Sequence, residues 1–166
     1  MSANHEKTEL LSELQSDIGK ALWQIQAFED TLAHLIAVVL KLPAKTSLEE
    51  AEAILENVRK GTLGKLVRET KKVVHFKGGF ELFMSKFVNE RNWLVHRSWR
   101  EYRGVLNKEN EYKYLRLRVR RLASDALEYN QLFAGFIEDW AKDQGIDEVQ
   151  LQQIQKEFMD VWGAET

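Results

Sequence analysis

At 166 residues, with 44% apolar and 30% charged side chains, one proline and a net charge of −2, the chain has the size of one domain, 1–166, able to bury a core without covalent staples. The absence of cysteine excludes a disulfide scaffold, cysteine-ligated zinc, iron–sulfur clusters and thiol nucleophiles. The longest apolar run, about Leu32 to Leu42, is interrupted by His34 and Lys41 and falls short of the ~20 residues of a membrane span; the opening MSANHEKTELLSEL has no apolar signal segment, so a soluble, cytoplasmic protein with no membrane partner is expected.

The first segment, about Thr8 to Lys41, repeats Leu10, Leu14, Ile18, Leu22, Ile25, Phe28, Leu32, Leu35 and Val39 every three or four residues. This is the stripe of an amphipathic helix, with Gly19 a candidate bend and Leu42-Pro43 a stop. Ser47 and Glu50 form a capping box for a helix through Leu48, Ile54, Leu55 and Val58 that ends near Lys60-Gly61. Thr62 caps a short helix through Leu63, Leu66, Val67 and Val73, and Lys77-Gly78-Gly79 breaks the chain again. A helix from Phe80 to Tyr102 follows, then a polar loop from Arg103 to Asn110, then a long helix over Glu111 to Lys142. The LRLRV stretch at 115–119 alternates with period two, a strand signal, but it adjoins the strongly helical Leu122–Trp140 and has no partner strand nearby. Asp147 can cap a last helix through Val149, Ile154, Phe158 and Trp162. The expected fold is all-α, an up-and-down antiparallel bundle of about five to six helices.

The net charge conceals polarity. Residues 1–60 carry 6 Lys/Arg against 10 Asp/Glu (−4), residues 61–121 carry 16 against 6 (+10), and residues 122–166 carry 2 against 10 (−8). A basic middle serves either as a footprint for phosphates or as a set of helix faces packed beside acidic ones. There is no Gly-rich phosphate loop, HExxH or GxSxG. Glu49, Glu50, Glu52 and Glu56 read as a solvated helix face rather than a metal site, His5 lies in a frayed terminus, and His34 reads as a core histidine. Neither a cofactor nor a metal is expected.

The informative stretch is Glu90-Arg91-Asn92-Trp93-Leu94-Val95-His96-Arg97. It resembles the signature of HEPN domains, an Arg followed after four to six residues by a His, often with Asn, Asp or His directly after the Arg. Thr62-Leu63-Gly64-Lys65-Leu66 also looks like a segment seen in some members. The spacing alone carries little, because ten arginines and 4 histidines give on the order of one chance match. Arg68 and His75 are a second match, but Glu69 follows Arg68 and the pair reads as structural. The resemblance implies an HEPN-like helical bundle and a metal-independent endoribonuclease that acts as a symmetric homodimer, two motifs sharing one cleft. It further implies a toxin, phage-defence or stress role, with an antitoxin or other regulatory protein as partner. One toxin branch carries a modified Tyr two residues after the His; Ser98 stands there in this chain.

Helix geometry sets the roles apart. Asn92 and His96 lie about 40° apart on one face, whereas Arg91 lies about 140° from His96, on the expected apolar arc of Phe80, Phe83, Phe87, Leu94 and Val95. Arg91 therefore either curls towards His96 or is a buried arginine held by a carboxylate of another helix. Ser85, Asn89, Asn92, His96, Arg100 and Arg103 line a polar face that has donors and cations but no acid, which suits a phosphodiester. Trp93 and Trp99 flank it and serve either as base-stacking platforms or as core or interface side chains. The expected catalytic set is Arg91, Asn92 and His96, with His96 as general acid or base and Arg91 on the scissile phosphate. Arg97, Arg100, Arg103, Arg116 and Arg120 are expected to track RNA. The alternative is a non-catalytic helical interaction module binding a partner protein or a nucleotide.

Overall fold

The computed structural model describes residues 3–41, 47–72 and 79–145, and every regular element among them is helical. Helix α1 spans Ala3–Ile36 and ends in a π-helical turn, Ala37–Lys41. Its stripe is buried at Leu14, Ala21, Ile25, Phe28, Leu32 and Leu35. Gly19, the candidate bend, lies exposed within the continuous helix.

Helix α2 is Leu48–Arg59. Ser47 Oγ accepts from the Glu50 amide at 3.3 Å while the Glu50 carboxylate accepts from the Ser47 amide at 3.1 Å, so the capping box satisfies two otherwise orphaned donors. Helix α3, Leu63–Thr70, starts where Thr62 Oγ1 accepts from the Lys65 amide. Thr70 is fully buried and donates its hydroxyl to Leu66 O at 2.9 Å, which removes the cost of an unmet donor.

Helix α4 is Phe80–His96 and begins after Gly79, whose φ of +80° favours glycine. The single helix expected from Phe80 to Tyr102 is in fact broken at Arg97 (φ −125°, ψ −29°), and a short α5, Ser98–Glu101, follows. Two side chains stabilise the break. Ser98 Oγ donates to Leu94 O at 2.6 Å, and the Trp93 indole N–H donates to Glu101 Oε2 at 2.6 Å across eight residues. The loop expected over Arg103–Asn110 holds a 3₁₀ turn, Val105–Asn107, and α6 starts earlier than expected and runs Glu109–Asp143. The alternating LRLRV segment is helical, as read. Val73, His75, Lys77-Gly78 and the helix expected after Asp147 lie outside the described residues.

Three long helices make the body. Contacts advance in step along α1 and α6: Leu10 with Tyr112, Asp17 with Arg116 and Arg120, Thr31 with Asn130. The two are therefore parallel, and they form the most extensive helix pair. Helix α4 runs against them, because Phe80 meets Tyr129 and Phe133 while Glu90 meets Arg118. In chain order the long helices go up, down and up. α2 and α3 pack against α1, with Arg59 Nε on Asp30 Oδ1 at 2.7 Å. The core is richest where Phe28, Phe87, Tyr129 and Phe133 meet, with Phe28 edge-on to Phe87 at 5.5 Å and 5.7–5.9 Å from Phe133 and Tyr129. Each ring buried there contributes about 1.5–3 kcal/mol of transfer free energy.

Candidate functional site

The candidate motif occupies the last turns of α4. The helix is regular from Arg91 through His96, so the 140° offset between the two side chains persists. Arg91 faces inward: its Nη2 lies 3.0 Å from Glu29 Oε1 of α1, and both side chains are about one-quarter exposed. Its Nη1 is 3.4 Å from Asn92 Oδ1, and its Nε is buried with no hydrogen-bond partner. Of the two expectations for Arg91, the arginine held by a carboxylate of a neighbouring helix is the one realised. Its guanidinium is bound away from His96.

His96 is exposed and forms no hydrogen bond or ion pair among the described residues. Ser85, Asn89, Asn92, Arg100 and Arg103 are exposed as well, and the break at Arg97 keeps α5 close behind His96. Arg97, Arg100 and Arg103 have no ion pair among the described residues. Trp99, at 79% exposure, stands among them. Together these residues make an open cationic surface with one imidazole, two carboxamides and one uncovered indole.

Trp93 belongs elsewhere. It is 6% exposed, hydrogen-bonded to Glu101 and edge-on to Tyr102 at 6.0 Å. The Arg118 guanidinium lies 3.4 Å above its ring while binding both oxygens of Glu90 at 2.6 and 2.8 Å. That carboxylate keeps the Arg118 pKa above its ordinary value against the opposing effect of burial. Trp93 is thus a packing residue that joins α4, α5 and α6.

The two arginines of α6 expected on RNA are engaged with acids of α1. Arg116 Nε binds Asp17 Oδ2 at 2.7 Å and its Nη1 contacts Glu13 Oε2; Arg120 Nε binds Asp17 Oδ1 at 3.0 Å. Burial pushes the Asp17 carboxyl upward, but hydrogen bonds from Arg116 and Arg120 outweigh it and hold the group below its ordinary value. Arg116 is mostly covered, while Arg120 keeps 58% of its side chain in solvent. Much of the +10 of the middle segment is therefore neutralised against acidic helix faces, while Arg97, Arg100 and Arg103 beside α5 stay open.

The partners were not read from sequence. Glu29 directly follows the core residue Phe28, and an acid at the margin of an apolar stripe is a signal for a buried cation. Glu13 and Asp17 are four apart on α1, and Arg116 and Arg120 are four apart on α6, a matched spacing that suits parallel helices. His34 is half-buried rather than in the core, with Nδ1 at 2.9 Å from Asp30 O and 3.3 Å from Asp30 Oδ2. Glu49, Glu50, Glu52 and Glu56 are exposed, as read. Among the described residues no three His, Asp or Glu side chains are placed to hold a metal ion, and no helix is long and apolar enough to cross a membrane. Set against protein-family models, curated proteins and solved structures, the chain matches none.

Proposed function

We propose that this chain acts on RNA as an HEPN-like helical domain, and that the α4–α5 surface binds the phosphodiester backbone and cleaves it at His96 without a metal. The observation that carries this reading is the exposed His96 and Asn92 at the end of α4, followed within seven residues by exposed Arg97, Arg100 and Arg103, none of them in an ion pair among the described residues. Cations there are free to replace counterions along the backbone, and Trp99 offers a stacking platform. In the reaction His96 takes the proton of a ribose 2′-hydroxyl as that oxygen attacks the adjacent phosphorus. The P–O5′ bond breaks, and the imidazolium returns its proton through water to O5′. The products are a 2′,3′-cyclic phosphate and a 5′-hydroxyl. Asn92 hydrogen-bonds a phosphate oxygen, and Arg91, tied to Glu29, holds α4 in place.

The Arg91–Glu29 pair favours a second reading. An arginine committed to a core carboxylate is not presented to a scissile phosphate, and a module that binds RNA or a protein without cleaving it needs none. The test compares wild type and His96→Ala on structured RNA in excess EDTA, with product ends mapped and binding measured in parallel. Cleavage by wild type alone, leaving cyclic phosphate ends, is the expected result. Equal cleavage by both proteins refutes the role of His96, and binding without cleavage by either moves the assignment to the non-catalytic module.

A further inference from the structure

The outer face of α6 carries an unusual symmetry. Its inner face, which includes Leu115, Val119, Leu122, Ala126 and Phe133, is buried. On the opposite side the helix shows solvent Leu117, at 67% exposure, and Leu132, at 44%. Between them lie Arg121, with 80% of its side chain exposed, and exposed Glu128. At 100° per residue these four fall within about 60° of one another, with Ser124 and Asp125 at mid-length on the two opposite edges of the stripe. The order Leu, Arg, Glu, Leu is self-complementary when reversed. A two-fold axis between positions 124 and 125 sets Leu117 against Leu132 and Arg121 against Glu128, each pair formed twice. The next pair outward is Tyr114, at 59% exposure, against Gly135, a ring over a position with no side chain.

We infer that the outer face of α6 is an interface for a second copy of this chain, packed antiparallel about a two-fold axis at positions 124 and 125. Apolar residues separated by oppositely charged ones, in palindromic order, are what an isologous helix pair requires, since each patch must complement itself. In the isolated chain Arg121 has only a 3.9 Å approach to Asp125, so its charge is available to a partner's glutamate. A parallel arrangement would instead set Arg121 against Arg121 and Glu128 against Glu128. This inference stands whether or not the chain acts on RNA. It also differs from a shared-cleft dimer. Arg118 lies level with Glu90 and Trp93, so His96 sits towards the N-terminal end of α6, near the level of Tyr114. At 1.5 Å per residue the axis holds the two His96 ends roughly 30 Å apart along the helix pair, which gives each copy its own polar surface.

Sedimentation of the full chain from about 1 μM to about 1 mM, the span over which weak to moderate self-association is seen, tests this directly. Wild type is expected to pass from monomer to dimer within that range. Arg121→Glu and Glu128→Arg each place like charges across the axis and are expected to raise the dissociation constant at least about tenfold. The double variant, R121E with E128R, restores two opposite-charge pairs and is expected to regain dimerisation. Unchanged far-ultraviolet dichroism confirms that the variants fold. Because the chain has no cysteine, an equimolar mixture of Leu117→Cys and Leu132→Cys proteins is expected to form a mixed disulfide faster than either alone. A wild type that stays monomeric throughout, a dimer indifferent to both charge reversals, or faster crosslinking of Leu117→Cys with itself each overturns the interface.

Discussion

Replacing Arg91 separates a structural role from a catalytic one. Its guanidinium meets Glu29 at 3.0 Å, with each side chain about three-quarters covered. An exposed ion pair is worth about 0–1 kcal/mol, whereas removing one partner of a fully buried pair costs about 3–5 kcal/mol because a charge is stranded. Burial here is intermediate, so Arg91→Gln is expected to cost about 1–3 kcal/mol, or roughly 3–10 °C in Tm for a chain of this size. Paired with Glu29→Gln in a double-mutant cycle, the coupling is expected at about 1–2 kcal/mol, read from urea unfolding of all four proteins. His96→Ala, an exposed change, is expected to stay within about 0.5 kcal/mol of wild type. If Arg91→Gln keeps wild-type stability and shows no coupling to Glu29, the structural assignment is wrong; if it also loses all RNA cleavage, Arg91 belongs to the chemistry.

The Asp17 carboxyl is held below its ordinary value, so its contribution is present above the unfolded pKa, near 4, and is lost as pH falls through the lower folded value. Asp17→Asn is therefore expected to be less stable than wild type by about 1–3 kcal/mol at pH 7, with the gap closing below about pH 4 in melts followed by dichroism. Arg118→Lys keeps the charge but loses the two-pronged bond to Glu90 and the stacking on Trp93, and a loss of about 1–2 kcal/mol in urea unfolding is expected. If the α4–α5 surface binds RNA, Arg100→Gln and Arg103→Gln should each reduce the slope of log affinity against log salt by about 0.7–1. Arg116→Gln should lower stability and leave that slope unchanged.

How far the sequence could be read depended on the range of the interaction. The stripe of α1, the Ser47–Glu50 box and the Thr62 cap are local, and each appears where the spacing sets it. The alternation in LRLRV misleads only if one neighbour is imagined. Arg116 and Arg120 turn to the acids of α1 and Arg118 turns to Glu90 of α4, so a helix wedged between two acidic faces shows basic residues at every second position. The break at Arg97 carries no Gly or Pro. It rests on Trp93 finding Glu101, a contact that helical periodicity does not announce. The motif fared likewise: the solvent position of Asn92 and His96 follows from helix phase, but the capture of Arg91 by a residue 62 positions earlier in the chain does not.

The parallel course of α1 and α6 also orders events in time. Their side-chain bonds join residues about 100 positions apart (99 for Tyr112–Glu13, 103 for Arg120–Asp17), against 28 for Glu90–Arg118. Closing the longer loop costs about 1 kcal/mol more chain entropy, and the α4–α6 hairpin can form before it is paid. On loop length the α4–α6 hairpin is expected to form before the α1–α6 seam, as is the equally local α1–α2 pairing of Asp30 with Arg59. Seam variants such as Asp17→Asn should quicken unfolding and leave refolding nearly untouched, while Arg118→Lys should slow refolding.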